Sequence, residues 1–202
     1  MLINLLPDFF AILDSTDPLA AYQRYLATHR RILHSYWNNY VIPPEGPHFL
    51  EILRGALTAD RSDLRSMIER TDVVTLARSV EEVCSRLFQI DMDYDIVLMV
   101  GVGGANAGEL VIDRRGVAFV CLEHFTGVPN SETFGLGLDP ELIPLWLAHE
   151  IAHVVRYTSP TSRAGMHALV ESTGGYSYWD TGRTVPLREL LVNSRIAVHA
   201  SQ

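Results

Sequence analysis

Hydrophobic and polar positions follow two different periods along this chain, and the period changes near residue 94. Before that point, apolar side chains recur every three or four residues, as they do on one face of an α-helix. The segments with this spacing are LAAYQRYLATHRRILHSYWNNYV after Asp17-Pro18, HFLEILRGAL, SDLRSMIERT and LARSVEEVCSRLF. We therefore predict that residues 1–92 form a helical region, in which the first of these segments is one long helix.

From residue 94 onward, short β-rich runs replace the helical pattern. YDIVLMVGV and GVAFVCLE predict two strands, and GELVIDRRG between them predicts a third strand that ends in a turn. The connection GVGGANAG is rich in glycine, but it has neither the GxGxxG spacing nor the GK[ST] of a phosphate-binding loop. We interpret it as a flexible connection between strands.

Two further helices are predicted in the last third of the chain. Asp139-Pro140 combines a helix cap with a first-turn proline and predicts a helix from about Leu138 to Tyr157, whose first turn Pro144 kinks or delays. A long connection rich in Ser, Thr and Gly follows, and connections of this length usually line a site or carry elements of their own. PLRELLVNSRIAVHASQ predicts a last helix that begins at Pro186.

This order of elements predicts an α+β fold in a single domain of residues 1–202. In this fold a small β-sheet packs on the helix that follows it, and residues 1–92 form the helical N-terminal region. Residues 93–202 hold the sheet, that helix and the C-terminal helix.

Composition narrows the classes of partner. The formal net charge of −8 leaves no basic face for nucleic acid or anionic lipid. No apolar run reaches the roughly 18 residues of a membrane span, and the first apolar stretch lacks the preceding Lys or Arg of a secretory signal. Cys84 and Cys121 stand alone in apolar segments and indicate buried thiols in a reducing compartment. We expect a cytoplasmic protein with no nucleic-acid or membrane partner; its oligomeric state is open.

The segment LAHEIAHVVRY carries the chemistry of this sequence. His149 and His153 lie one helical turn apart on the same face, where two imidazoles can bind one zinc ion. Glu150 follows His149 at about 100° around the helix axis. In that position its carboxylate can act as the general base on a water molecule. The other interpretation is a core-facing amphipathic helix whose histidines hydrogen-bond to the backbone.

An HExxH helix after a small sheet resembles the zincin metallopeptidases. More narrowly, LAHEIAHVVRY followed by LRELLVNSRIAVHAS resembles the gluzincin-type predicted zinc-dependent proteases of bacteria, over roughly residues 94–202. The resemblance implies a zincin-like fold, a Zn²⁺ ion held by His149 and His153, Glu150 as the catalytic base, and a peptide or protein substrate. In those proteins the glutamate of a downstream Glu-Gly-x-Ala helix is the third zinc ligand.

This chain departs from the family at that third ligand, because Ser194-Arg195 stands where the family has Glu-Gly. Serine is a poor neutral ligand for zinc, and an arginine beside the site repels the metal ion. The third ligand is therefore open among two carboxylates and two imidazoles, namely Glu171, Glu189, His167 and His199.

Three other side chains have candidate roles near the motif. Arg156 matches an arginine that the family commonly carries three residues after the second histidine, and a salt bridge at the helix C-terminus is the alternative. Tyr176 and Tyr178 are candidates to donate a hydrogen bond to a developing oxyanion, and aromatic packing within the loop is the alternative.

These patterns predict a zinc-dependent peptidase that hydrolyses amide bonds through a metal-activated water. The alternative is a degenerate zincin-fold protein with weak or no catalysis, acting as a binding or regulatory module. A third possibility is a helical interaction domain in which HExxH occurs by chance.

Overall fold

The structure is a computed structural model, and it describes residues 1–90, 92–162, 167 and 186–200. Within these ranges the chain forms four β-strands and eight α-helices. The strands are β1 (Leu2–Asn4), β2 (Tyr94–Met99), β3 (Ala107–Ile112) and β4 (Arg115–Cys121). The helices are α1 (Leu6–Leu13), α2 (Pro18–Thr28), α3 (Arg30–Tyr40), α4 (Phe49–Thr58), α5 (Ser62–Arg70), α6 (Val73–Phe88), α7 (Ile143–Thr158) and α8 (Leu187–Ala200).

The four strands form one mixed sheet in the order β1-β2-β4-β3. β1 and β4 pair in parallel with β2, and β3 pairs antiparallel with β4. Asp113 and Arg114 join β3 to β4 with φ angles of 53° and 63°, values that a two-residue hairpin turn requires. The α+β fold class is therefore confirmed, and β3 is an edge strand of the sheet.

The helical N-terminal region differs from its prediction in two places. Residues Leu2–Asn4 form β1, a strand too short to show a period, which pairs with β2 from the second half of the chain. The predicted long helix is broken at His29, which separates α2 from α3. The imidazole of His29 lies 3.0 Å from the carboxylate of Asp8 on α1. The apolar spacing continues across this break, so the sequence pattern does not reveal it.

Helix α7 begins at Ile143, five residues later than the position predicted from Asp139-Pro140. A short 3₁₀ turn at Pro140–Leu142 precedes it, and the Asp139 carboxylate accepts a hydrogen bond from the Glu141 backbone N–H at 2.9 Å. Pro144 has no N–H to donate, so it is compatible only with the first turn of an α-helix. The regular helix therefore starts immediately before this proline.

Helix α7 packs across β3 and β4, and its apolar side chains Leu147, Ile151 and Val154 are fully buried there. The closest approach is at Gly116 of β4. A Cβ atom on this residue would collide with the Val154 side chain and lie 3.3 Å from Thr158 Oγ1. The absence of a side chain at Gly116 thus allows α7 to lie directly on the sheet.

Apolar residues from both halves of the chain share one buried core. Cys84 and Cys121 are free and buried within it, as predicted. Among the helices that the structure describes, none is both long and apolar enough to cross a membrane.

The connection between β2 and β3 is held in place by a buried carboxylate. Glu123 Oε1 accepts hydrogen bonds from the backbone N–H groups of Gly101 at 2.7 Å and Gly103 at 3.4 Å. Burial raises the pKa of Glu123 from 4.5 to about 7, although the charge of Arg61 and the glycine N–H groups partly offset this effect. Stability is therefore greatest when Glu123 is protonated and falls as pH rises from about 4.5 to 7.

The next residue, His124, titrates in the opposite sense. Its side chain is buried, and burial together with the positive charge of Arg61 lowers the pKa of His124 from 6.5 to about 4. Between these two values the unfolded chain binds a proton that the folded chain does not. Stability is therefore present above about pH 6.5 and is lost as pH falls toward 4.

We predict that replacing these two residues one at a time changes the pH dependence of stability in opposite directions. Between pH 7 and pH 5, His124→Gln should gain about 2 kcal/mol of unfolding free energy relative to the wild type, because it has no imidazole to protonate on unfolding. Over the same interval Glu123→Gln should lose about 2 kcal/mol relative to the wild type, because it takes up no proton on folding. Urea unfolding at both pH values measures each difference, and parallel curves for all three proteins would contradict the linkage.

Candidate metal centre

The two histidines of the motif lie on α7 with their ring nitrogens directed at one another. His149 Nε2 and His153 Nε2 are 3.2 Å apart, and the ring centroids are separated by 4.9 Å. Two nitrogen ligands at about 2.0–2.1 Å from a tetrahedral zinc ion stand about 3.3 Å apart. The separation thus fits a shared zinc ion, and it also fits an N–H···N hydrogen bond between neutral rings.

Both imidazoles are half-buried, and their environment favours the neutral form that binds metals. Burial is the main cause that lowers the pKa of His149, and the neighbouring charge of His153 adds to it. Burial also lowers the pKa of His153, with a further contribution from the positive charge of Arg156. The negative charge of Glu109 opposes both shifts. Neutral histidines need lose no proton before they bind a cation.

Tyr157 holds the ring of His153 from the side opposite Nε2. Its hydroxyl oxygen lies 3.3 Å from Nδ1 of His153, and the two rings are stacked with centroids 5.7 Å apart. If Nδ1 carries the proton and donates it to the Tyr157 hydroxyl oxygen, Nε2 is free to bind a metal ion, whereas a hydroxyl that donates to Nδ1 leaves the proton on Nε2. Sequence reasoning missed Tyr157, although its position four residues after His153 is a signal that could have identified it.

Glu150 is 4% exposed, and it pairs with an acidic residue from the sheet. Its carboxyl group hydrogen-bonds the carboxyl of Glu109 on β3. Burial, followed by the charge and hydrogen bond of Glu109, raises the pKa of Glu150 well above its usual range. A nearby cation would favour the ionised form of Glu150. Sequence reasoning missed Glu109, because no spacing along the chain relates it to the HExxH motif.

The two histidines proposed as extra ligands lie elsewhere. His167 Nδ1 is 3.0 Å from the backbone carbonyl of Tyr157, at the C-terminal end of α7. His199 on α8 is exposed and lines an apolar groove with Phe88, Val192, Arg195 and Ile196. Across the described ranges, no group of three or more His, Cys, Asp or Glu side chains is arranged to hold a metal ion. Neither histidine therefore completes the pair on α7.

The remaining candidates fall partly or wholly outside the described residues. Glu171, Tyr176 and Tyr178 belong to the connection that the structure does not describe. Glu189 and Ser194 lie on α8, which packs against α7. The structure describes only the backbone of these two residues.

The two arginines of the prediction lie on neighbouring helices. Arg156 is half-buried and carries its charge near His153, which agrees with a location beside the site. Arg195 is exposed on α8. The two imidazoles of the predicted site are thus adjacent, Glu150 is buried on the same helix, and the third ligand is not assigned.

Comparisons with known proteins identify no relative of this chain. No protein-family model, curated protein or solved structure matches it. The functional argument therefore depends on the geometry around His149 and His153.

Proposed function

We propose that this protein is a zinc-dependent peptidase that hydrolyses amide bonds in a peptide or protein substrate. The observation that carries the proposal is the 3.2 Å separation of His149 Nε2 and His153 Nε2, on the same helix as the buried side chain of Glu150. A structural role for two histidines requires a hydrogen-bond partner for each ring. An N–H···N hydrogen bond between the two neutral rings would give the same separation, and zinc content distinguishes this arrangement from a metal site.

Each residue of the site has a distinct task in this proposal. His149 and His153 hold the zinc ion, which would polarise the substrate carbonyl and lower the pKa of a water molecule. Glu150 accepts the proton of the attacking water and delivers it to the leaving amine. With Nδ1 of His153 protonated, the Tyr157 hydroxyl oxygen accepts its hydrogen bond and orients the ring for binding through Nε2.

The proposal extends to the fold and the compartment. A zincin-like arrangement is supported by α7 lying on a mixed sheet whose edge strand, β3, is antiparallel to its neighbour. A cytoplasmic location is supported by the free, buried state of Cys84 and Cys121.

The second candidate function is a degenerate zincin-fold protein that binds or regulates without efficient catalysis. Two observations favour it: Ser194-Arg195 replaces the glutamate and glycine of the resembled family, and the described residues contain no third ligand for the histidine pair. Zinc content distinguishes both candidates from a chance HExxH, and peptidase activity distinguishes the two candidates from each other.

We predict that purified protein binds about one zinc ion per chain and that His149→Ala/His153→Ala removes it, because both nitrogen ligands are lost. The matched control is His29→Ala/His34→Ala, which removes two half-exposed histidines that pair with Asp8 and Glu45. Elemental analysis after dialysis measures the stoichiometry. Equal zinc content in the two double variants would exclude the proposed ligands.

We predict that Glu150→Gln reduces the turnover number at least about a hundredfold while zinc remains bound, because an amide does not accept the proton of the attacking water. Glu141→Gln is the control, since Glu141 is exposed in the turn that precedes α7. Hydrolysis of a quenched fluorescent peptide library measures turnover. Wild-type turnover in Glu150→Gln would eliminate this mechanism.

We predict that Ser194→Glu/Arg195→Gly raises zinc affinity and any peptidase activity. The double change adds an anionic ligand candidate on α8 and removes a positive charge, and both effects favour a bound cation. Competitive titration with a zinc chelator measures the affinity of both proteins in one buffer. If the affinities are equal, residue 194 is not the vacant position and a carboxylate elsewhere completes the site.

A further inference from the structure

The pairing of Glu109 with Glu150 joins the sheet to the catalytic helix, and it depends on where β3 places Glu109. Glu109 is in register with Ala118 of β4, on the same face as Gly116, where α7 packs. From this face its carboxyl reaches the Glu150 carboxyl. The partner of the proposed general base is therefore a side chain of the edge strand.

The backbone of Glu109 is held from the outer edge of β3 by one hydroxyl group. Tyr40 Oη donates a hydrogen bond to the Glu109 carbonyl oxygen at 2.7 Å and accepts one from the Glu109 N–H at 3.2 Å. The same Oη atom lies 3.5 Å from Glu109 Oε2. Tyr40 thus contacts Glu109 at both outward backbone groups and beside its carboxyl.

The absence of a side chain at Gly108 leaves room for the Tyr40 ring beside Glu109. A Cβ atom on Gly108 would lie 2.7 Å from Tyr40 Oη and 2.8 Å from its Cζ, so any other residue there would displace the ring. The Tyr40 ring is stacked on Tyr36, with centroids 5.7 Å apart, and meets the edge of Phe119 at 4.9 Å. These contacts fix the hydroxyl at the end of α3 against the edge of the sheet.

We propose that Tyr40 and Glu109 are positioning residues that hold the carboxyl of Glu150 in the orientation its role as general base requires. This inference rests on the proposed peptidase function. A glutamate side chain has three rotatable bonds, and the hydrogen bond to Glu109 restricts the rotamers that the Glu150 carboxyl can adopt. Preorganisation of this kind increases the rate of a proton transfer, because the enzyme need not select one rotamer among several in each turnover.

If Tyr40 has a purely structural role, removal of its hydroxyl has a different effect on turnover. The outward N–H and C=O groups of an edge strand need partners, and a hydroxyl that satisfies them protects the edge. In that case removal of the hydroxyl lowers stability but does not change the turnover number of the folded enzyme. A comparison of turnover with stability therefore separates the two roles.

The chain offers a matched control in Tyr36, which lies one turn before Tyr40 on α3 in the same aromatic stack. Its hydroxyl donates to the Gly101 carbonyl in the connection between β2 and β3, not to Glu109. We expect Tyr40→Phe to lower kcat by about tenfold to a hundredfold, with KM and zinc content unchanged. Tyr36→Phe should lose comparable stability and retain wild-type kcat. Equal kcat in the two variants would overturn the inference.

Substitutions at Glu109 test whether Tyr40 acts on Glu150 through the carboxyl of Glu109. Glu109→Gln keeps a hydrogen-bond donor for the Glu150 carboxylate and should retain most of kcat. Glu109→Ala should show the same kcat loss as Tyr40→Phe, and the two losses should not multiply in the double variant, because both residues act through one carboxyl. Multiplicative losses would mean that the residues act independently and would overturn the inference.

Crystal structures of Tyr40→Phe, Glu109→Ala and Tyr36→Phe supply a readout that requires no activity. We expect the Glu150 carboxyl to rotate away in the first two and to stay in place in the third. If Glu150 does not move in the first two, the positioning role is wrong even for an inactive protein. If Glu150 moves and the wild type hydrolyses no peptide, the positioning role holds and the peptidase function fails.

Discussion

The close packing of α7 on β4 at Gly116 is the constraint on which the candidate site depends. It buries Leu147, Ile151 and Val154 against the sheet, so the remaining face of the helix carries His149 and His153. The same contact brings Glu150 to the level of β3, where it meets Glu109. A bulkier residue at position 116 would lift the helix and separate the two carboxyls, while the spacing of the histidines along α7 would be unchanged.

The two buried glutamates Glu150 and Glu123 have different surroundings in this fold. On the face of the sheet toward α7, Glu150 pairs with Glu109, and the charge of Glu109 also acts on the neighbouring imidazole of His149. A divalent cation bound there would stabilise the ionised carboxyl group. Glu123, in contrast, accepts hydrogen bonds from the backbone of the glycine-rich connection, and burial raises its pKa to about 7. The Glu150–Glu109 pair is suited to the proposed chemistry, whereas Glu123 is suited to holding the connection that leads into β3.

The third zinc ligand separates the two candidate functions. Two histidines and a water molecule leave zinc short of the coordination that structural and catalytic sites share. Helix α8 packs against α7, and in sequence it carries Ser194-Arg195 where the resembled family has Glu-Gly. A peptidase requires a ligand from another part of the chain, whereas a binding module tolerates a weak site. The Tyr40–Glu109–Glu150 contacts fit the proposed peptidase, in which Glu150 needs a fixed orientation, and they also fit a structural role that satisfies the edge of β3.

The sequence by itself determined the local features of this protein: the helices after each cap, the three strands from residue 94, and one helix face with His149 and His153 one turn apart. These depend on interactions within a few residues, which the period of apolar positions records. Tertiary structure alone decided that α2 and α3 separate at His29, that Leu2–Asn4 joins the sheet, that Tyr40 contacts Glu109, and that Glu109 pairs with Glu150. Those contacts join residues far apart in the chain, and pairing across such distances is set by how helices and strands pack, which leaves no periodic signal in the sequence.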